Sequence, residues 1–442
     1  MGLPRIVTEL PGPKTRDWMM RDEMYVSPSY GRPYPLVAER ASGLEVTDVD
    51  GNVFLDFSAG IAVCSTGHCH PEVVKEIKKQ AARLIHMSGT DFYYREQILM
   101  AEEVSRITPG DMPKKSFFGN SGAEAIEAGF KLARYYSRRP RILSFNSSFH
   151  GRTYGALSLT GSNSKYKRGF APMVPGVTHL LYPYCFHCPF NLEKGECDFR
   201  CLSYIEDEVF SKYVPPEEVS ALVAEPILGE GGYVVPPEGY FQRLKRLLDE
   251  HGILFICDEV QSGMGRTGKM FAIEHWDIVP DIICMAKGIA SGMPLGVCCA
   301  SADIMDWHKG AHASTFGANP VSCRAALKTI SLLENGLIDN AERMGNYLLD
   351  GLKDIWEDNE IMGDVRGKGL MIGVEFVKDA KNTPSPEISN AVLLDCYRKG
   401  IALLPCGKST IRFCPPLVVS EDECRLVLEI FEDSVKANNK GR

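Results

Sequence analysis

Short apolar runs alternate with amphipathic stretches through the middle of this 442-residue chain. Four of the runs have the length and composition of buried strands: 141–146, 221–226, 253–260 and 281–288. Between them, residues 122–136 and 239–252 carry apolar side chains at helical spacing. Strands that alternate with helices predict a parallel sheet covered by helices on both faces. The sequence therefore predicts an α/β fold for this part of the chain.

The two ends of the chain follow a different pattern. Residues 35–57 alternate apolar and polar positions around a turn signal at Asp50–Gly51, which predicts a small hairpin or meander. After about residue 320 long helical stretches are followed by two strand-like segments, GLMIGVEFV and STIRFCPPL. We therefore predict a large domain over 66–325 and a small α+β domain over 326–442, with the N-terminal segment 1–65 belonging to the small domain.

Composition and charge exclude several classes of protein. The formal net charge is −8, and Lys and Arg are scattered rather than clustered, which argues against a nucleic-acid partner. No apolar stretch approaches the roughly 18 residues of a membrane span. The N-terminus carries charges and prolines where a signal peptide needs an apolar run. We expect a cytoplasmic enzyme that acts on small molecules.

The chain has fifteen cysteines, many of them in apolar stretches where a thiol serves as a small core residue. Four others, Cys185, Cys188, Cys197 and Cys201, fall in one Pro- and Tyr-rich loop. Their spacing leaves open a structural metal ion, disulfide bonds or reduced thiols. We favour reduced thiols and predict no metal cofactor.

Three polar residues lie at the carboxyl ends of the predicted strands, namely Glu225, Asp258 and Lys287. Ligands of parallel sheets gather at the carboxyl ends of strands. Asp258 needs a partner to stay ionised there, and either a protonated pyridine nitrogen or an arginine such as Arg266 would serve. Lys287 either extends to solvent or stays desolvated. Desolvation lowers the pKa of an amine and prepares it to attack an aldehyde.

A Gly-rich turn at residues 118–124 (FGNSGAE) leads into the helical stretch 122–136. Ser121 is the expected N-cap, with Glu124 completing a capping box. The same arrangement makes an anion site, because the N–H groups of Gly122 and Ala123 and the Ser121 hydroxyl can hold a phosphate. A phosphate site, a pyridinium partner and an imine-forming lysine together are the groups that bind pyridoxal phosphate (PLP).

These residues lie in segments that resemble the class III aminotransferases, the ω-amino-acid group of the fold-type I PLP enzymes. The resemblance covers nearly the whole chain. Its segments are LDFSAGIAV (55–63), GHCHPEVV (67–74), FFGNSGAEAIEAGFKLAR (117–134), FHGRT (149–153), EPILGEGG (225–232), CDEVQSGMGRTGK (257–269), AKGIASGMPLG (286–296), STFGANP (314–320), RGKGLMIGVEF (366–376) and IRFCPPL (411–417). It implies a large domain with a mainly parallel sheet of the seven-stranded type, beside a small α+β domain.

The resemblance also implies roles around the cofactor ring. Lys287 carries PLP as a Schiff base and moves a proton between the substrate Cα and C4′ of the cofactor. Asp258 pairs with the pyridine nitrogen, and Gln261 lies near the phenolic oxygen. Val260 packs on one ring face and Phe149 on the other.

At the phosphate end, the resemblance assigns binding to Ser121, Gly122 and Ala123. The family often has Thr where Ala123 stands, so one hydroxyl contact is missing here. Thr315 resembles the residue that reaches the phosphate of the partner subunit's cofactor. This implies a homodimer with shared active sites, or a dimer of dimers.

Three further residues bear on the substrate. Arg412 resembles the arginine that binds an α-carboxylate, and Glu230 the gate that pairs with this arginine when an ω-amine occupies the site. Arg152 resembles the arginine that binds a distal carboxylate. Together they imply ping-pong transamination between an ω-amino acid such as 4-aminobutyrate or ornithine and an oxo acid, 2-oxoglutarate.

Two other functions are consistent with parts of this pattern. Some enzymes with this layout resemble amino-acid racemases, which return the proton to Cα from the opposite face. We keep this as the alternative, since no residue decides against it and Glu230 only favours transamination. A non-catalytic protein that kept the fold would have lost Lys287 or Asp258, and both are present.

Overall fold

The computed structural model describes residues 4–193 and 195–439. The strands are β1 (Ala38–Ser42), β2 (Glu45–Asp48), β3 (Val53–Asp56), β4 (Lys114–Gly119), β5 (Arg141–Phe145), β6 (Val177–Leu180), β7 (Val219–Ala224), β8 (Leu254–Asp258), β9 (Ile282–Met285), β10 (Gly296–Ser301), β11 (Met362–Lys368), β12 (Met371–Phe376), β13 (Ile401–Ala402), β14 (Leu404–Cys406) and β15 (Thr410–Phe413).

The helices are α1 (Pro13–Tyr25), α2 (Ala59–Ala62), α3 (Pro71–Ala81), α4 (Arg95–Ile107), α5 (Gly122–Ser137), α6 (Tyr154–Leu159), α7 (Arg200–Tyr204), α8 (Tyr240–Glu250), α9 (Pro320–Leu332), α10 (Ile338–Glu357), α11 (Pro386–Arg398) and α12 (Glu421–Asn438). Shorter helical turns cover Ser164–Tyr166, Cys185–His187, Ile205–Phe210, Pro216–Glu218, Ala272–Trp276, Lys287–Ala290 and Leu333–Leu337. In the part of the chain that the structure describes, no helix has the length and apolarity needed to cross a membrane.

A seven-stranded sheet with the order β4-β10-β9-β8-β7-β5-β6 forms the centre of the molecule. Its neighbours from β9 through β6 pair in parallel, which confirms the predicted α/β fold. β10 is antiparallel to both β9 and β4. Only residues 286–295 join β9 to β10. That is too short for the crossover of about a dozen or more residues that a parallel strand requires.

The central strands are almost wholly buried, as expected for a sheet covered on both faces. Every residue of β7 and β9 is buried. Helix α5 packs on this sheet, and its Gly129 lets it approach closely, since an added Cβ would lie 3.2 Å from the Cys284 sulfur. α5 therefore holds its N-terminus in a fixed place beside the sheet.

The chain ends form two further four-stranded sheets. β1, β2 and β3 make the predicted antiparallel meander, and β13 from the C-terminal region joins it in parallel through the pair Ile401 and Leu55. The other sheet is antiparallel in the order β11-β12-β15-β14. The domain boundaries at residues 65 and 325 stay a prediction.

Two strands are clearly shorter than the sequence pattern indicates, and β8 covers only Leu254–Asp258 of the run 253–260. The run 281–288 was expected to be strand throughout, but β9 ends at Met285. Lys287 begins a short helical turn and has a φ of +45°, which no strand residue adopts. The lysine therefore lies just beyond the strand end, in the turn that returns the chain to β10.

Two glycines of helix α10 allow a comparison between close packing on backbone and close packing on a side chain. At Gly345 an added Cβ would lie 2.2 Å from the carbonyl carbon of Gly369, whereas at Gly351 it would meet only the end of the Leu428 side chain, at 2.5 Å. We expect Gly345→Ala to lower the free energy of unfolding by about 1–3 kcal/mol, because backbone cannot move aside as a side chain can. Gly351→Ala should leave stability unchanged or raise it, since Ala favours helix. Denaturant unfolding of both variants measures this, and equal effects would contradict it.

Candidate active site

A cavity of about 460 Å³ lies at the carboxyl ends of β7, β8 and β9, beside the N-terminus of α5. Nine of the residues predicted for the site line it: Ser121, Gly122, Ala123, Phe149, Arg152, Asp258, Val260, Gln261 and Lys287. Glu225 and His150 line it as well. Arg412, Glu230 and Thr315 are not among its lining residues.

The N-terminus of α5 has the geometry of an anion site. Ser121 is the N-cap, and its Oγ accepts a hydrogen bond from the Glu124 N–H at 3.2 Å. The predicted capping box is only half right, since the Glu124 carboxylate accepts from the N–H of Asn120 rather than from that of Ser121. The first N–H groups of a helix have no partner within it, so those of Gly122 and Ala123 are oriented to hold an anion.

Asp258, the last residue of β8, is held on two sides. Its Oδ2 lies 2.7 Å from Nδ1 of His150, and its Oδ1 accepts from the Val260 N–H at 3.0 Å. Both side chains are buried, at 0% exposed for His150 and 4% for Asp258. Arg266, the alternative partner, instead donates to the carbonyl oxygen of Leu370. The carboxylate is therefore fixed in orientation, with a histidine as its partner.

Glu225 follows β7 and joins two loops of the site. Its Oε1 accepts from the Phe149 N–H and its Oε2 from the Gly229 N–H, each at 2.8 Å. Burial raises the pKa of this carboxyl to about 7, against the opposing effect of His150. This side chain holds the loop that carries Phe149 next to the loop that carries Glu230.

Lys287 reaches the cavity from a strained backbone position. A φ of +45° costs a non-glycine residue about 1–3 kcal/mol, a cost typical of functional sites. The next residue, Gly288, packs so closely that an added Cβ would lie 2.5 Å from Oγ of Ser65. Desolvation lowers the pKa of the Lys287 amine, although Asp258 acts in the opposite direction. A lowered pKa increases the neutral fraction of the amine, which is its nucleophilic form.

Arg412 on β15 lies next to the cavity through Gln261. Its guanidinium is buried and donates from Nη1 to Oε1 of Gln261 at 3.3 Å. The same oxygen accepts from the Tyr233 hydroxyl at 2.9 Å. Two donors thus fix the amide of Gln261, which lines the cavity.

The pair of Glu230 with Arg412, which the resemblance implies when an ω-amine occupies the site, stays a prediction. Among the residues that the structure describes, no ion pair joins them, and Oε1 of Glu230 instead accepts from the Tyr166 hydroxyl at 2.8 Å. The ring of Tyr166 also covers Arg152, whose guanidinium carbon lies 3.8 Å from the ring centroid. Tyr166 occupies a loop position without periodicity, so sequence reasoning missed it.

His150 was given no role from the sequence, and Glu225 was noted only as a polar residue at a strand end, although both lie in the segments FHGRT and EPILGEGG. The only sequence signal for His150 was its position next to Phe149. Its hydrogen bond to Asp258 joins residues 108 positions apart, so the sequence pattern could not predict it. Thr315 is exposed, next to the exposed ring of Phe316. Its predicted contact with a partner subunit stays a prediction.

The four loop cysteines come together away from this site. Cys185, Cys188, Cys197 and Cys201 all line a second cavity of about 380 Å³. Within residues 4–193 and 195–439, no group of three or more metal-binding side chains is arranged to hold an ion. Burial raises the pKa of the Cys201 thiol to about 12, so it keeps its proton.

The side chains of the active-site cavity fit PLP in their chemistry. The N-terminus of α5 suits the phosphate, the fixed carboxylate of Asp258 suits a protonated ring nitrogen, and the amine of Lys287 suits the aldehyde. Phe149 and Val260 supply apolar wall for the ring. These are the groups that the sequence predicted for the cofactor, now lining one cavity.

Comparison with known proteins finds relatives that cover nearly the whole chain. An alanine/serine racemase of Pyrococcus horikoshii is 41% identical over 100% of this chain and 94% of its own length. A 4-aminobutyrate aminotransferase of Mycobacterium leprae is 39% identical over 95% of each chain. The crystal structure of an (S)-enantioselective ω-transaminase from Thermomicrobium roseum superposes with a TM-score of 0.89 at 33% identity, covering 96% of this chain and 98% of that one.

The match to a family model extends over most of the chain. The model for class-III aminotransferases matches residues 25–435, which include every residue discussed for the site. Enzymes of this class use PLP. The chain therefore belongs to the class-III aminotransferases, PLP-dependent enzymes of fold type I.

Proposed function

We propose that this enzyme transfers an amino group from an ω-amino acid or related amine, such as 4-aminobutyrate or ornithine, to 2-oxoglutarate. Two arginines carry the proposal, since Arg152 lines the cavity and Arg412 adjoins it through Gln261. A guanidinium binds a carboxylate through two parallel hydrogen bonds. Two of them around one cavity suit a substrate with two carboxylates, as 2-oxoglutarate and its product glutamate have.

The residues of the cavity divide the chemistry between them. PLP, when bound, supplies a ring that accepts the negative charge left at the substrate Cα. Lys287 is the base for this step, because its lowered pKa favours the neutral amine that takes the Cα proton. Asp258 would keep a proton on the ring nitrogen, and His150 holds the carboxylate in the orientation for it. Ser121, Gly122 and Ala123 would hold the phosphate.

Racemisation is the second candidate. Its support is the 41% identity to an alanine/serine racemase over the whole chain, against 39% for the 4-aminobutyrate aminotransferase. The two reactions share the removal of the Cα proton by Lys287. They differ in where a proton returns, since a transaminase delivers it to the cofactor carbon and a racemase to the opposite face of Cα.

The assembly and location of the enzyme are part of the same proposal. We infer a homodimer, in which Thr315 reaches the partner's cofactor. An apolar surface beside Thr315 supports it, because the exposed side chains of Ile85 (63% exposed) and Phe316 (61%) line one pocket, and contiguous apolar surface marks interaction sites. A cytoplasmic location stays a prediction.

The first test follows products with and without an oxo acid. We expect holoenzyme with 4-aminobutyrate or L-ornithine and 2-oxoglutarate to form glutamate over many turnovers. Without 2-oxoglutarate the same amine should react once per site and stop, since nothing regenerates the cofactor. Chiral chromatography after incubation with L-alanine or L-serine alone tests the alternative. Steady formation of a D-amino acid without an oxo acid, and no glutamate in the first assay, would replace transamination by racemisation.

The second test concerns the distal carboxylate. We expect Arg152→Ala to lower kcat/KM for 2-oxoglutarate about tenfold, because a charged hydrogen bond to the substrate is lost. Pyruvate has no distal carboxylate and should react with the variant as it does with the unmodified enzyme. Steady-state kinetics with both acceptors measures the difference. An equal loss with both would show that Arg152 does not read the distal group.

The third test compares two neighbouring buried carboxylates. Asp258 lines the cavity, whereas Glu259 accepts from the Ser262 hydroxyl at 2.5 Å and the Ile273 N–H at 2.8 Å. We expect Asp258→Asn to lower kcat about 10²–10³-fold, the size of effect seen when a fixed electrostatic partner is removed. Glu259→Gln should leave kcat of the folded holoenzyme within about threefold. Comparable losses of kcat in the two variants would remove the special role of Asp258.

A further inference from the structure

Tyr166 contacts two of the three residues that bear on the substrate. Its hydroxyl donates to Oε1 of Glu230, and its ring lies against the guanidinium of Arg152. The ring also meets that of Phe149 edge-on, with centroids 5.8 Å apart. Tyr166 is half-buried and ends the short helical turn that begins at Ser164. It therefore joins the loop of Arg152 to the loop of Glu230.

The backbone on either side of Glu230 is tightly held. The carbonyl oxygen of Glu230 accepts from the Gly407 N–H at 2.7 Å, and that of Gly232 accepts from Nη2 of Arg366 at 2.6 Å. At Gly231 an added Cβ would lie 2.1 Å from the carbonyl oxygen of Ser147. These contacts restrict a shift of the loop backbone. A change of partner by Glu230 is therefore a rotation of its side chain.

Besides Tyr166, Glu230 also interacts electrostatically with Arg412. Burial acts to lower the pKa of the Arg412 guanidinium, but Tyr233, Cys406, Cys414 and Glu230 outweigh it and raise the pKa. Nε of Arg412 is buried and makes no hydrogen bond in the described part of the structure. A buried cation without a carboxylate partner is costly, which favours binding of an anion there.

We propose that Tyr166 is a positioning residue that sets substrate specificity: its hydroxyl holds the Glu230 carboxylate away from Arg412 and so keeps this guanidinium open for a substrate carboxylate. The proposal rests on the function proposed above. It names the substrate class that the arrangement favours, which is α-amino and α-oxo acids with a carboxylate next to the reacting carbon. An ω-amine, which lacks that carboxylate, requires Glu230 to leave Tyr166 and neutralise Arg412.

The phenol stays a donor over the working range of the enzyme. Burial, together with the neighbouring Glu230, raises the pKa of Tyr166 to about 12, while Arg152 and Arg412 oppose the rise. The hydroxyl therefore keeps its proton near neutral pH. Deprotonation of Tyr166 therefore does not break its hydrogen bond to Glu230. That bond is lost only when Arg412 competes with Tyr166 for the Glu230 carboxylate.

Tyr166→Phe is the decisive variant, because it removes the hydroxyl and keeps the ring that covers Arg152. The readout is binding of glutarate, a dicarboxylate without a reacting group, to the holoenzyme by calorimetry. We expect Tyr166→Phe to weaken glutarate binding about tenfold, since Glu230 then competes for Arg412. Adding Glu230→Gln to this variant should restore binding to within about threefold, whereas Glu230→Gln alone should change it little.

Single-turnover reactions give a second readout. In Tyr166→Phe we expect the rate of the half-reaction with glutamate to fall. The rate with 4-aminobutyrate should rise relative to the rate with glutamate. The change in cofactor absorption measures both rates. Tyr166→Leu, which also removes the ring from Arg152, controls for the stacking contact. Tyr166→Leu should weaken glutarate binding further than Tyr166→Phe does. Adding Glu230→Gln to Tyr166→Leu should restore that binding only in part.

The outcomes separate this proposal from the proposed function. Unchanged glutarate binding in Tyr166→Phe, or a loss that Glu230→Gln does not restore, overturns the role of Tyr166. Absence of glutarate binding to the unmodified holoenzyme overturns it as well. Weakening and rescue as expected, in an enzyme that makes no glutamate from 2-oxoglutarate, support the role of Tyr166 and reject transamination to that acceptor.

Discussion

The site depends on the hydrogen bonds that hold the carboxylate of Asp258 in one orientation. An ionised carboxylate at a buried strand end is stable only with partners, and His150 and the Val260 N–H supply two. In the parallel pairing of β8 and β9, Asp258 lies opposite Cys284. Lys287 follows three positions after Cys284, so strand register alone brings a carboxylate and an amine to the same edge of the sheet.

The anion site depends on the same sheet by a different route. α5 begins directly after β4, and β4 is paired with β10 through Gly296 and Gly119. Gly296 packs against Ser121 so closely that an added Cβ would lie 2.1 Å from the Ser121 carbonyl oxygen. The antiparallel return of β10, forced by its short connection, thus fixes the N-terminus of α5 beside the turn that carries Lys287.

The residues at the strand ends could be predicted from the sequence, because the pattern of apolar and polar positions shows where each strand of a parallel sheet ends. Asp258 and Lys287 were found in this way, and the resemblance supplied Phe149, Val260 and Gln261. The partners of these residues could not be found, since loops carry no period and their contacts span long stretches of chain. The Tyr166–Glu230 bond and the Asp258–His150 bond are both of this kind.

The residues shared by transaminases and racemases explain the cofactor but not the outcome. The roles proposed for Lys287 and Asp258 serve the removal of the Cα proton in either reaction, so their geometry does not separate the two. In the proposed function, the difference arises from how Arg152, Glu230 and Arg412 hold the substrate while the proton returns. Tyr166 joins two of these three directly. In the proposed function, specificity therefore depends on two loop residues and on Arg412 of β15, all outside the central sheet, while Asp258 and Lys287 lie at the strand ends of that sheet.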